Sequence, residues 1–217
     1  MVNEAVFKIK NMFSPNDILS LWIIKISMIR NDLYYVHKSL TSIAEANKQL
    51  QNGEMNYFFR LAASHYREAV KFIDDHKKER KIQSFIDLLD SKSIENYKKL
   101  LESCTPWEGS FVKDIVKPIR DNFFHYSSDS FCKDFKEMKD FYSRVSSNGS
   151  SRKDLSLIFA DEISINLDFR DYTEEQYKVM INKLSEYMVA LIQFVDEATG
   201  SYFNHYKERT SYFVRTK

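Results

Sequence analysis

The sequence predicts an all-α fold, an antiparallel helical bundle, on three observations. First, the 217 residues include only 4 Gly and 3 Pro, far fewer than the turn-rich chain of a β-sandwich or barrel needs. Second, Trp22, Ile26, Ile29, Leu33, Val36, Leu40 and Ile43 recur at spacings of four and three, with Leu50 completing the run. That period lays one apolar seam along a long helix. Third, Thr173-Glu174-Glu175-Gln176 matches a capping box, which predicts a last long helix running to about Lys207. With 17 Phe and 13 Tyr, the core can be large, and residues 1–217 read as a single domain.

The elements follow in order. Ser14-Pro15-Asn16-Asp17 is a helix start: Ser14 can cap, Pro15 suits the first helical position and Asp17 favours the positive end of the dipole. The first helix is expected to end at Asn52-Gly53, since Gly tolerates the left-handed conformation of a helix end. A second helix is expected over Glu54–Asp75, with Phe58, Leu61, Ala62, His65, Ala69 and Phe72 on its buried face. The charge run Lys77–Lys81 reads as a solvated connection, followed by shorter helices at about 80–90 and 93–103. Thr105–Gly109 is a loop. Ser110 then caps a helix to about Tyr126, and another helix is expected from about Asp129 to Ser146. Asn148-Gly149 marks a loop or hinge. Between Leu155 and Phe169 apolar residues alternate as in two short strands, a pattern compatible with a small β-hairpin across Ala160-Asp161-Glu162.

Composition removes several classes of function. The four glycines are isolated from one another, so neither a Walker loop nor a dinucleotide fingerprint can be written. A net charge of +1 gives no general basic coat for nucleic acid and no polybasic membrane anchor, although a local basic site is compatible with it. Cys104 and Cys132 form no CxxC pair and read as reduced thiols. Met1–Phe13 has no signal-type apolar run, and Leu21–Ile29 is broken by Lys25 and too short to span a bilayer. The expectation is a cytoplasmic protein without membrane contact. The five histidines include no HExxH and no metal-ligand spacing with a cysteine, so no metal and no cofactor are expected. Asp74-Asp75-His76 reads as solvated polar surface beside the lysines.

One spacing points to chemistry. An Arg followed by a His after four to six residues occurs three times, at Arg30–His37, Arg60–His65 and Arg120–His125. At 100° per residue His65 falls within its helix's apolar stripe while Arg60 points away, which reads as a core histidine and a surface arginine. Arg30 and His37 flank the first helix's seam. The third pair differs. Phe111, Val112, Ile115, Val116, Ile119, Phe123 and Tyr126 fill an arc of about 140° and form the core face. The opposite side carries Lys117, Arg120, Asp121 and His125, with Phe124 among them. A large aromatic on that charged face calls for a second partner, another helix or a symmetry mate. Asp121 and His125 are i, i+4 neighbours, so the carboxylate can orient and charge-tune the imidazole. Pro118, without an N–H, can kink the helix just before Arg120.

At Lys117-Pro118-Ile119-Arg120-Asp121-Asn122-Phe123-Phe124-His125-Tyr126 the chain resembles the HEPN superfamily, whose signature is R-x4-6-H with a polar residue after the Arg. The resemblance implies an α-helical bundle, commonly dimeric, and the activity of a metal-independent endoribonuclease in toxin–antitoxin or phage-defence systems. It assigns Arg120 and His125 as catalytic and Asp121, Asn122 and Tyr126 as supporting. The implied partners are RNA, a second copy meeting the first near Phe124, and an antitoxin or defence protein. The residue types suit cleavage by the RNA's own 2′-hydroxyl. His is a general acid or base near neutral pH, and Arg grips phosphate with a permanently charged fork. On an ideal helix the two side chains point about 140° apart, which favours a site completed across a two-fold axis. The alternative is a non-catalytic HEPN-like module that binds nucleotide, RNA or a partner protein.

Overall fold

The computed structural model describes residues 3–46, 52–104, 109–117, 146–147, 155–156, 174–206 and 213–216. Its elements are β1 (Asn3–Val6), α1 (Ile9–Met12), α2 (Ile18–Ala46), α3 (Asn52–Asp75), α4 (Arg80–Ile86), α5 (Ser91–Ser103), a π-helical segment (Val112–Val116), β2 (Ser146–Ser147), β3 (Leu155–Ser156), α6 (Glu174–His205) and β4 (Phe213–Thr216). The all-α expectation holds. Of the described helices α2, with 29 residues, and α6, with 32, are the longest.

The seam of α2 is the one its apolar spacing predicts: Trp22, Ile26, Leu33 and Val36 are buried, and Ile29, Leu40 and Ile43 are half-buried. Leu50 lies outside the described residues. Against this seam runs α6, which buries Leu184, Met188, Leu191, Phe194, Val195 and Ala198. The cross-links between them fix the direction. Ser20 meets Tyr202, Ser27 meets Thr199, Arg30 meets Asp196 and His37 meets Ser185. As one number rises the other falls, so the helices are antiparallel. The other flank of α6 receives α5 in the same sense, with Tyr97 against Phe194 and Lys99 near Tyr187.

Two helix ends differ from the sequence expectation. The cap of α2 is Asp17, not Ser14: its carboxylate accepts from the backbone N–H groups of Leu19 and Ser20 at 3.3 and 3.4 Å. Pro15 and Asn16 form a turn ahead of it, closed by the Asp17 N–H on the Ser14 carbonyl. Asp17 wins because its carboxylate also engages the Ser20 hydroxyl at 2.8 Å and Lys81 Nζ at 2.5 Å, contacts a serine cannot make together. Asn52-Gly53 opens α3 rather than closing α2, which ends at Ala46. Asn is a good helix starter as well as a stopper, so the local signal carries both readings. The capping residue expected for α6, Thr173, lies outside the described residues.

The buried face of α3 is rotated by about one residue from the expected stripe. Phe59, Ala62, Ala63, Tyr66, Ala69, Val70 and Ile73 are buried, whereas Phe58, Leu61, His65 and Phe72 are half-buried. Ala62 and Ala69 are common to both faces; tyrosine, ambiguous by hydropathy, decides the rotation, because buried Tyr66 bonds Ser103 and packs its ring on Phe111 and Tyr187.

Short strands accompany the bundle. β1 pairs antiparallel with β4, Asn3 opposite Thr216 and Val6 opposite Phe213. β3 pairs with β2, Ser147 opposite Leu155. Thus Leu155–Ser156 takes its partner from upstream, across the connection that contains Asn148-Gly149, a turn signal in its own right. The hairpin expected across Ala160-Asp161-Glu162 lies outside the described residues. Ser146, the expected end of the helix from Asp129, is in β2; the rest of that helix lies outside the described residues.

Candidate functional site

The candidate site is approached through residues 109–117. Gly109 has φ +92°, a left-handed conformation that disfavours any side chain, and its N–H donates to the Asp114 carboxylate. Ser110, buried, accepts from the Lys113 N–H at 3.2 Å, the cap expected of it. Phe111 is buried between two tyrosines, edge-on to Tyr66 at 6.1 Å and stacked on Tyr187 at 4.8 Å between ring centroids. Val116 is fully buried, and Val112 and Ile115 are half-buried, so the predicted core face is the inward one over this stretch.

The winding is the surprise. Val112–Val116 is π-helical, closed by Lys117 N–H on the Val112 carbonyl, five residues back. A π turn advances less per residue than an α-helix, so angles counted from Phe111 at 100° per residue do not carry past it. Such turns are frequent at functional sites. The sequence offers a local cause: proline at 118 has no N–H for the Asp114 carbonyl that an α-helical turn would leave waiting.

Around this segment gather cations from three elements. Lys113 and Lys117 are exposed on the segment itself. Lys183 of α6 places Nζ 5.8 Å from the Phe111 ring centroid, and Lys99 of α5 places Nζ 5.2 Å from that of Tyr187. No sequence spacing marks these two lysines; they converge only because α5 and α6 pack side by side. Acidic groups temper the patch. Burial first, then Glu102 and Glu186, raise the Tyr187 phenol above its ordinary range. Tyr66, below it, is pushed up strongly by burial and bonds its hydroxyl to Ser103 Oγ at 2.7 Å. Both phenols therefore stay neutral and act as packing rather than as acids.

The three Arg–His pairs fare differently. Arg30 grips Asp196 with two bonds, Nε to Oδ1 at 2.8 Å and Nη2 to Oδ2 at 3.1 Å, and its guanidinium lies 4.9 Å from the Tyr34 ring centroid. The Asp196 hydrogen bond raises its already high pKa against a smaller opposing effect of burial. His37 Nε2 is 3.1 Å from Ser185 Oγ. Both therefore tie α2 to α6. Arg60 and His65 lie half-buried on α3, His65 at the edge of the core rather than in mid-stripe as expected. Arg120 and His125, with Asp121, Asn122, Phe124 and Tyr126, lie outside the described residues. Among the described residues no three His, Cys, Asp or Glu side chains cluster as a metal site would need. No described helix is long and apolar enough to cross a membrane. Cys104 is a free, half-buried thiol whose pKa is raised by burial; Cys132 lies outside the described residues.

Comparison with protein-family models, with curated proteins and with solved structures finds no match for this chain.

Proposed function

We propose that this protein is a metal-independent endoribonuclease of HEPN type, of the toxin or phage-defence kind, with Arg120 and His125 as its catalytic residues. The observation that carries the reading is the fate of the Arg30–His37 pair. Arg30 and His37 are engaged in holding α2 to α6, which removes one competing pair; the charged sequence face of Arg120–His125, four residues past the π segment and two past a proline, favours it over Arg60–His65 on α3. Lys99, Lys113, Lys117 and Lys183 supply local positive charge along the approach in a chain whose net charge is only +1.

In the proposed reaction a histidine takes the proton of an RNA 2′-hydroxyl. The freed oxygen attacks the adjacent phosphorus, the bond to the 5′-oxygen breaks, and that oxygen leaves with a proton from a second acid. The products are a 2′,3′-cyclic phosphate and a 5′-hydroxyl. Arg120 holds the non-bridging oxygens, where negative charge grows in the transition state. Asp121 orients the imidazole, and Asn122 and Tyr126 support the phosphate. One histidine per chain supplies one of the two proton-transfer groups. A homodimer meeting near Phe124 brings the second, and an antitoxin or defence partner would act by covering this site.

The test incubates the purified protein with mixed RNA in EDTA. Cleavage to cyclic-phosphate ends that His125→Ala and Arg120→Ala each abolish, with unchanged melting curves, is the expected result. Tight binding without cleavage would replace the enzyme with a binding module, and full activity in His125→Ala would end the catalytic assignment.

A further inference from the structure

The outward face of α2 carries a stripe the bundle does not use. Leu21, Lys25, Met28, Asp32 and Tyr35 fall within an arc of about 80° at 100° per residue, centred about 120° from buried Trp22, Ile26 and Leu33. Leu21 is 47% exposed, Met28 57% and Tyr35 66%, and the exposure rises along the stripe rather than fading towards a packed neighbour. Lys25 and Asp32 are both exposed, and among the described residues neither has an ion-pair partner. By contrast Arg30 on this helix is committed to Asp196, and the capping Asp17 to Lys81.

We propose that this stripe is a self-association surface, on which α2 of a second copy lies antiparallel about a two-fold axis passing beside Met28. The order of residues makes the face complementary to itself. Lys25 and Asp32 stand seven residues apart, about 10.5 Å along the helix, with the axis midway between them. A two-fold perpendicular to the helix keeps each flank of the stripe on its own side. On one flank Lys25 of each copy therefore meets Asp32 of the other, twice. On the other flank Met28 meets Met28, and Leu21 meets Tyr35 at each end. A parallel arrangement would set Lys25 against Lys25 and Asp32 against Asp32, so charge alone selects the antiparallel one. From Leu21 to Tyr35 the contact is about 21 Å long. It is narrow beside the ~800 Å² per partner of a stable complex, so the dimer forms and separates with concentration. The surface consists of described residues alone and does not rest on the ribonuclease reading.

Charge exchange tests it by sedimentation equilibrium of the full chain up to about 1 mM. Through this face the wild type is expected to gain mass as concentration rises, whether the unit that associates is a monomer or the dimer of the proposed active site, and less so at high salt. Lys25→Asp or Asp32→Lys alone faces like charges across the axis and weakens association by about tenfold or more. The two single variants mixed form a one-to-one dimer, and the double variant Lys25→Asp/Asp32→Lys associates as the wild type does. Phe124→Arg leaves this association in place, which separates it from the dimer of the proposed active site. A wild type monomeric throughout overturns the proposal, as do single variants that associate as the wild type does. A Met28→Ser variant that melts well below the wild type would assign the stripe to the chain's own interior and equally overturn it.

Discussion

Replacing Tyr202 with Phe should destabilise the bundle by about 2 kcal/mol, although the substitution removes one oxygen and leaves the ring. Tyr202 is fully buried near the end of α6, stacked on Phe13 with ring planes 8° apart and centroids at 5.6 Å. Its hydroxyl lies 2.6 Å from Ser20 Oγ and donates to the Met12 carbonyl at 3.1 Å. Ser20 Oγ in turn donates to Asp17 at 2.8 Å. Two hydroxyl protons thus serve three contacts. Because Asp17 is held ionised, Ser20 points its proton there, and the Tyr202 proton is shared between Ser20 Oγ and the Met12 carbonyl. Loss of the phenol oxygen removes the group that ties Met12 to both long helices. A buried acceptor left without its donor costs about 1–3 kcal/mol, more than the net worth of one neutral hydrogen bond. The ring's packing is unchanged, so no cavity term is added. Urea unfolding followed by circular dichroism should show a lower midpoint at constant slope, and a melting temperature lower by about 4–8 °C for a chain of this size. In a double-mutant cycle with Ser20→Ala the two losses should be less than additive, since either one breaks the chain of bonds. A Tyr202→Phe protein within about 0.3 kcal/mol of the wild type would refute the reasoning.

Acid should act through Asp17. Burial opposes its ionisation, but bonds from Lys81, Ser20 and the Leu19 N–H together hold its carboxyl below the ordinary carboxylate range. Its folded pKa being the lower, its stabilisation is present above the unfolded value near about 3.9 and is lost as pH falls through the folded one. Below about pH 4 the wild type should therefore lose stability more steeply than Asp17→Asn, as read from urea midpoints against pH. Gly109→Ala should cost about 1–2 kcal/mol. Its φ of +92° strains an alanine although nothing stands within 4 Å of the added carbon; an unchanged thermal melt would contradict this. Arg120→Lys should cleave RNA far more slowly than the wild type despite the retained charge, because a point ammonium cannot make a two-pronged phosphate contact. Asp121→Asn should be milder, since an amide still orients the imidazole; initial rates on one RNA compare the two.

The long helices were legible because their signal is redundant. Seven apolar positions from Trp22 to Ile43 repeat one period, and no single substitution would hide it. Their ends were not. Ser14 and Asp17 are both good caps, and the choice fell to Asp17 through Lys81, a residue 64 positions away. Asn52-Gly53 reads equally as a stop or a start. On α3 the burial shifted from Phe58 and His65 to Phe59 and Tyr66, because Tyr66 finds a partner for its hydroxyl in Ser103 and for its ring in Phe111 and Tyr187. Of the candidate site, the Arg120–His125 spacing and the Ser110 cap were readable from sequence. The π turn and the approach of Lys99 and Lys183 were not.

By itself, then, the sequence determined the helical class, the great length of α2 and α6 and the residue types available for chemistry, because periodicity and residue type are properties of a single strand of chain. Only the tertiary structure decided which polar groups are spent on holding the bundle. Arg30 and His37 form an Arg–His pair on paper until Asp196 and Ser185 meet them across the antiparallel α2–α6 seam. Hydrogen bonds and ion pairs depend on distances of a few ångströms between residues more than a hundred positions apart, and no local pattern encodes such distances.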